Sequence, residues 1–307
     1  MRTIAVVAHS DKQLGGGLQE LRAALARRGA DPQLWYEVDK SKRAPKRVRK
    51  ALDGGADLVF VWGGDGMVQR CADVLADSGV PLAVVPAGTA NLLARNLGIP
   101  RDIERAVDIG LGGVRRTLDL GRVNGERFAV MAGAGFDAAM IRDVDGSAKE
   151  RLGRLSYVWS GARQLRRDAT RGRVKIDGER VYEGPIACVL VGNVGSLFGG
   201  VTVFRDAEPD DGCLEVAVVT AGSGRDWLRT LWRTARGTPE SSPFVRMYRG
   251  RSVRARFERA VPYELDGGHR GSTDRLRVDI EPRALVVCVD GTGATGAPNS
   301  GQGGIGR

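Results

Sequence analysis

The chain has 307 residues, 42% of them apolar and 27% charged, and carries a formal net charge of +10. That size and apolar content exclude a single small domain and a globally disordered chain, and fit two domains with cores of their own. The positive balance points to an anionic partner: a nucleotide, a nucleic acid or an acidic membrane surface. No apolar run approaches the ~18 residues that a bilayer-spanning helix needs. Ile4–Ala8 is too short for a signal-peptide core, so the chain is expected to remain in the cytoplasm. Cys71, Cys188, Cys213 and Cys288 lie far apart without a CxxC pair, and read as reduced thiols rather than a zinc site.

Elements alternate along the first hundred residues. Thr3–Ala8 reads as a strand, Leu18–Arg28 as a helix, and Gln33–Val38 as a second strand. A basic helix follows over Pro45–Leu52. The run Leu58-Val59-Phe60-Val61-Trp62 has no polar alternation, the mark of a parallel strand covered on both faces. After it Val68, Cys71, Ala72 and Leu75 recur at helical spacing, and a strand over Pro81–Val85 precedes a helix over Asn91–Leu97. This alternation specifies an α/β domain, a parallel sheet with helices on both faces.

From about Arg115 the texture becomes β-rich. Asn124-Gly125 and Asp177-Gly178 are hairpin signals, and strands are expected at Ile186–Val191, Leu214–Val219, Ser252–Phe257, Leu276–Ile280 and Ala284–Val289. Helices are expected at Leu152–Arg167 and Asp226–Arg236. The division expected is an α/β domain over residues 1–114 and a mainly antiparallel β-sandwich over 115–290, its last strand free to return to the first domain. Residues 291–307, mostly Gly, Thr, Ala, Pro, Asn and Ser, are expected to be a disordered tail.

Two turns stand out. Gly63-Gly64-Asp65-Gly66 joins a buried strand to a helix, a geometry that aims backbone N–H groups and the positive end of a helix dipole at an anion. Pro86-Ala87-Gly88-Thr89-Ala90-Asn91 repeats the arrangement after the next strand, with Thr89 placed to cap the following helix or to meet a phosphate. Turns from consecutive parallel strands would face one crevice, as a nucleotide with several phosphates requires.

GGDGMVQ at Gly63–Gln69, PAGTANLLARNLGIP at Pro86–Pro100 and PDDGCLEV at Pro209–Val216, in this order, resemble the diacylglycerol kinase and sphingosine kinase superfamily, particularly its soluble bacterial lipid kinases. The resemblance implies that Gly64, Asp65, Gly66, Met67, Val68, Gln69 and Arg70 wrap the phosphates of ATP, with Thr89 also touching the nucleotide. Met67 stands where the family has a threonine and offers no hydroxyl; Arg70 replaces an acid and is expected to face solvent. The resemblance further implies Mg²⁺ held by the Asp211 side chain and the carbonyl oxygens of Glu208 and Cys213, a hard oxygen set; without it, Asp210 and Asp211 read as β-turn residues. The family's DGE motif, whose acid acts as general base, reads Asp266-Gly267-Gly268 here, leaving Asp266 as the nearest carboxylate for that role.

Arg225, Arg229, Arg233 and Arg236 recur along one helix, with Trp227, Leu228, Leu231 and Trp232 assigned to its other side. Such a helix suits anionic headgroups at the inner face of the membrane. The expected activity is transfer of the γ-phosphoryl group of ATP to a lipid hydroxyl, with diacylglycerol the leading acceptor. Two alternatives stay open: an NAD kinase, and a nucleotide-binding, membrane-associated regulator that has lost activity, for which Met67 and Gly268 argue. Nucleic acid is not an expected partner, since the basic residues have no interleaved aromatic platform. A homodimer is left open.

Overall fold

The computed structural model describes residues 2–135, 169–197, 201–236 and 238–291. The helix expected at Leu152–Arg167, and all but Gly291 of the tail expected over 291–307, lie outside the described residues.

Strand β1 (Ile4–His9) pairs in parallel with β2 (Leu34–Val38) on one side and β3 (Leu58–Gly63) on the other, and β3 pairs in parallel with β4 (Leu82–Pro86). Every residue of β3 and β4 is buried, as their unbroken apolar runs require. The covering helices are α1 (Gly17–Arg27), α2 (Ala44–Asp53), α3 (Asp65–Leu75), α4 (Leu92–Asn96) and α5 (Ile103–Gly112). Helix α5 has no counterpart among the expected elements, and both Gly110 and Gly112 fall inside it. Its Asp102 cap accepts the Arg105 N–H at 2.9 Å, and Gly110 is there for closeness: a methyl group on it would lie 2.3 Å from the Phe60 ring.

The second half is antiparallel. Strands β5 (Val114–Val123) and β6 (Glu126–Phe128) form a hairpin around Asn124 and Gly125, both at positive φ. Strand β7 (Met131–Ala134) follows. Asp177 and Gly178 turn β8 (Thr170–Ile176) into β9 (Glu179–Ile186) in the same way. The single strand expected at 186–191 is broken at Ala187, whose N–H goes to the Val219 carbonyl, so β9 ends and β10 (Cys188–Gly192) begins. Strands β11 (Ser196–Leu197) and β12 (Val201–Thr202) make a small separate pair, and β13 (Leu214–Val219) leads to α6 (Gly224–Ala235) and β14 (Val245–Gly250).

The strands expected at 252–257, 276–280 and 284–289 belong to two long ones, β15 (Ser252–Leu265) and β16 (Gly268–Val289), which form a hairpin. Strand β16 is 22 residues long. It pairs antiparallel with β15 and β5, shifts register between Glu281 and Leu285, and meets β4 in parallel at Val287. One sheet therefore runs β14-β13-β10-β7-β15-β16-β4-β3-β1-β2. Two apolar cores result: one around the parallel strands and their helices, the other inside the sandwich with Phe128, Val174, Val189, Val216, Val253 and Leu276. The fold is an N-terminal α/β domain followed by a β-sandwich-like domain. None of the described helices is long and apolar enough to cross a membrane.

In α6 the faces differ from the expected division. At 3.6 residues per turn, Leu228 and Trp232 fall on the same side as Arg225, Arg229 and Arg236. Trp227 is buried with Thr230, whose hydroxyl meets that of Ser242, whereas Leu228 and Trp232 are 44% and 43% exposed. Arg236 stacks on the Trp232 ring, 3.6 Å from its centroid, and Arg233 donates to the Ser241 carbonyl.

Candidate functional site

Gly63 and Pro86 stand opposite each other at the carboxyl ends of β3 and β4, so the turns that follow start side by side. They touch through backbone. A methyl group on Gly88 would lie 2.4 Å from the Gly64 Cα, and one on Gly64 would lie 3.1 Å from the Gly88 Cα. The Ala87 N–H donates to the Gly63 carbonyl at 3.0 Å. Asp65 bridges the two turns: its Oδ2 accepts the Asn91 N–H at 2.9 Å and its Oδ1 the Leu92 N–H at 2.5 Å. Burial pushes the Asp65 carboxyl above its ordinary value, and these N–H groups pull it back in part.

Asn91 shapes the second turn. Its backbone is left-handed at φ 49°, its Oδ1 accepts the Gly88 N–H at 2.9 Å, and its Nδ2 donates to the Gly88 carbonyl at 2.8 Å. The residue at the N-cap of α4 is Asn91, not Thr89, and the side chain that meets the helix end is Asp65. Thr89 stands exposed at the tip of the turn. In the first turn Gly66 is exposed, with nothing within 4 Å of where its Cβ would be. The opening turn of α3 has N–H groups without intrahelical acceptors, beside the positive end of the helix dipole. The turn thus presents exposed N–H donors of the kind that bind anions.

The other expected phosphate-loop residues face elsewhere. Met67, Val68 and Gln69 are buried at 1%, 5% and 2% exposure, and Met67 packs over Gly63, whose Cβ would lie 2.6 Å from it. Gln69 donates to the Arg127 carbonyl at 2.6 Å and accepts from Arg270 at 3.1 Å. Arg270 in turn grips Glu126 through Nε at 2.8 Å and Nη2 at 2.5 Å. That Arg270 hydrogen bond is the main force holding the Glu126 carboxyl below its usual range; Arg70, half-buried, adds its charge. The helix that opens on the first turn is thereby bolted to strands of the second domain.

Asp266 occupies the turn between β15 and β16, at φ 46° with Gly267 at φ 74°. It is buried, and its carboxylate accepts the N–H groups of Ala129, Val130 and Met131 at 2.8–2.9 Å. Burial raises its pKa to about 6 against the pull of those three donors, and the nearby Asp65 charge adds to the rise. The Asp65 and Asp266 carboxylates are thus near enough for their charges to interact. Beside Asp266, Gly268 has Arg270 Nη1 2.5 Å from where its Cβ would be; His269 is exposed.

Two buried residues here were not singled out in the sequence. Asn193 donates to the carbonyls of Asp119 and Ala129 at 2.9 and 3.1 Å, and its Oδ1 is buried without a hydrogen-bond partner among the described residues. An asparagine ending the apolar run Cys188–Gly192 was the available signal. Asp119, 1% exposed, accepts the N–H groups of Gly212 and Arg283 at 2.6 and 2.7 Å, and so anchors the Pro209–Gly212 turn. No pattern within β5 announced it.

In that turn Asp211 Oδ1 accepts the Cys213 N–H at 2.9 Å and Oδ2 pairs with Arg249 at 2.5 Å, while Asp210 pairs with Arg116. Glu208 is exposed. No group of three or more His, Cys, Asp or Glu side chains suited to a metal occurs among the described residues. The donor type of Asp211 with two carbonyls suits Mg²⁺, but Arg249 is the cation that this carboxylate holds.

The family model of the diacylglycerol kinase catalytic domain matches residues 8–123, and that of the YegS C-terminal NAD kinase beta sandwich-like domain matches residues 130–289. A protein named diacylglycerol kinase from Bacillus subtilis is 31% identical over 235 residues, covering 75% of this chain and 77% of its own. A YegS-like lipid kinase from Pseudomonas aeruginosa is 31% identical over 290 residues, covering 92% and 93%. Among solved structures, a diacylglycerol kinase from Bacillus anthracis shares the fold at TM-score 0.72 and 19% identity, over 95% of this chain and 98% of its own. An NAD kinase from Archaeoglobus fulgidus in complex with ATP is a more distant fold relative, at TM-score 0.56 and 11% identity over 94% and 95%. With both domains matched in order and the paired glycine turns in place, the chain belongs to the diacylglycerol kinase family, as an ATP-dependent lipid kinase that phosphorylates a hydroxyl group.

Proposed function

We propose that this kinase transfers the γ-phosphoryl group of ATP to the free hydroxyl of diacylglycerol at an anionic membrane surface, on the inner face of the membrane. The observation that carries the proposal is the backbone contact of Gly64 with Gly88, fixed by Asp65. Backbone N–H groups of Gly64, Asp65 and Gly66 would line the triphosphate, with the Thr89 hydroxyl at its edge. Met67, Val68 and Gln69 would support that loop by packing, and Arg70 by its charge. The acceptor would enter between the domains, where Asp266 would take its proton or orient it. Transfer of this kind asks for alignment and charge neutralisation more than covalent help.

Mg²⁺ would arrive with the nucleotide, since it usually binds through substrate phosphates and few carboxylates. A structural Mg²⁺ at Asp211 and the Glu208 and Cys213 carbonyls would have to displace Arg249. The exposed Leu228 and Trp232, flanked by arginines on α6, would rest in the headgroup region.

The test is incubation with γ-labelled ATP and either diacylglycerol vesicles or NAD. Labelled phosphatidate without labelled NADP is expected; NADP alone would overturn the proposal. The regulator alternative is favoured by Arg270 filling the space at Gly268. It would be supported by ATP binding without product on any of a panel of lipids.

A further inference from the structure

On the sandwich, β8, β15 and β16 lie side by side with their apolar residues inward: Val174, Val253, Ala255, Leu276 and Val278 are buried. Their outward residues form two rows across the three strands. Lys175, Arg254 and Arg277 are in direct register, and so are Arg173, Arg256 and Arg275. With strands about 4.8 Å apart and rows about two residues apart, the cations crowd a patch only about 10 Å wide. Like charges directly opposite one another destabilise a sheet, so this arrangement costs stability unless an anion joins it.

Counter-ions are few. Arg254 pairs with Asp279 at 2.6 Å and Arg275 approaches Asp274 at 3.6 Å. Among the described residues, Arg173, Lys175, Arg256 and Arg277 have no carboxylate partner. Between the rows is an open hollow of about 320 Å³ lined by all six cations, room for a headgroup or short phosphate chain. None of its lining residues is aromatic, which removes the stacking platform that single-stranded nucleic acid uses. Arg254 and Arg256 lie near the start of β15, and Asp266 follows its far end, so this patch is not the nucleotide cradle.

We propose that the outward face of β8, β15 and β16 binds clustered phosphate groups, from an anionic lipid headgroup or a soluble polyphosphate, at a second site separate from the nucleotide turns. Arginine forks and a lysine at this spacing suit several phosphate oxygens at once.

The full chain carrying Gly66→Ala, which alters the nucleotide cradle, is titrated calorimetrically with inorganic tripolyphosphate, with and without Lys175→Gln, Arg254→Gln and Arg256→Gln together. Binding that survives Gly66→Ala and weakens at least about tenfold in the combined variant, or about 1.4 kcal/mol, supports the site. Sedimentation with vesicles of phosphatidylglycerol and phosphatidylcholine separates the sources. A matching loss of vesicle binding assigns a headgroup, and unchanged vesicle binding assigns a soluble phosphate. Binding abolished by Gly66→Ala alone, or equal with and without the three substitutions, overturns the proposal, as does preference for an oligonucleotide over both phosphate probes. The substituted residues are on the surface, and melting temperature at or above that of the parent confirms that the fold is kept.

Discussion

Asp65 caps Leu92: the carboxylate that opens α3 accepts the N–H groups at the start of α4, 2.5 Å from Leu92 and 2.9 Å from Asn91. One acidic side chain thus fixes the distance between two glycine turns from neighbouring strands. Asp65→Ala leaves two N–H groups without their acceptor, a loss of about 1–3 kcal/mol. The variant is expected to melt at lower temperature and to lose ATP-dependent phosphorylation. Thermal unfolding and a kinase assay on the same preparation check both; undiminished activity would remove Asp65 from the site.

The two glycines that face the cradle differ in what a methyl group would meet. At Gly88 it would strike the Gly64 backbone at 2.4 Å; at Gly66 it would meet nothing within 4 Å. Gly88→Ala is expected to lower both melting temperature and ATP affinity. Gly66→Ala is expected to keep the melting temperature while weakening ATP binding about tenfold or more, about 1.4 kcal/mol, because the methyl stands where a phosphate would approach. Calorimetric ATP titration beside thermal melts separates the two.

Asp266 has a pKa raised to about 6 by burial. A base must be ionised to accept a proton, so turnover should rise with pH through about 6 and level off above it. Asp266→Asn should cut turnover and abolish that rise while leaving ATP affinity nearly unchanged. For stability the sign is opposite: a raised carboxylate pKa stabilises the fold below its unfolded value, and this contribution is lost as pH climbs through the folded one. A pH profile of turnover in both proteins is decisive, and an identical acidic limb in Asp266→Asn would assign the titration to another group.

On α6, Leu228 and Trp232 are exposed beside Arg225 and Arg229. Leu228→Ser with Trp232→Ser should reduce binding to anionic vesicles several-fold, since burying apolar side chains at the interface adds to the attraction of the arginines. Activity on detergent-dispersed lipid should be unaffected. Equal vesicle binding by the variant would leave α6 without a membrane role.

Much of this was legible in the residue order because burial on both faces leaves an unbroken apolar run, as in Leu58–Trp62, and because Asn-Gly and Asp-Gly accept the positive φ of a tight hairpin. Asp266-Gly267 obeys the same hairpin rule and makes such a turn between β15 and β16. The partners of Asp65, Asn193 and Asp119 were not legible, since they are set by strands and turns distant in the chain. Strand β16 read as two strands because Pro282 and Arg283, the latter at φ 55°, interrupt its pattern at a bulge. On α6 the spacing of the arginines was legible, but by helical angle Leu228 and Trp232 belong to the arginine face and are exposed.

The touching turns at Gly64 and Gly88 are proposed to hold ATP for transfer to a lipid. The decisive measurement gives purified protein γ-labelled ATP with a total lipid extract, and compares the wild type with Gly88→Ala. Label entering a lipid that co-migrates with phosphatidate, and falling sharply in the variant, is the predicted result. Equal labelling by the two proteins, or no labelled lipid from a wild type that binds ATP, would contradict it.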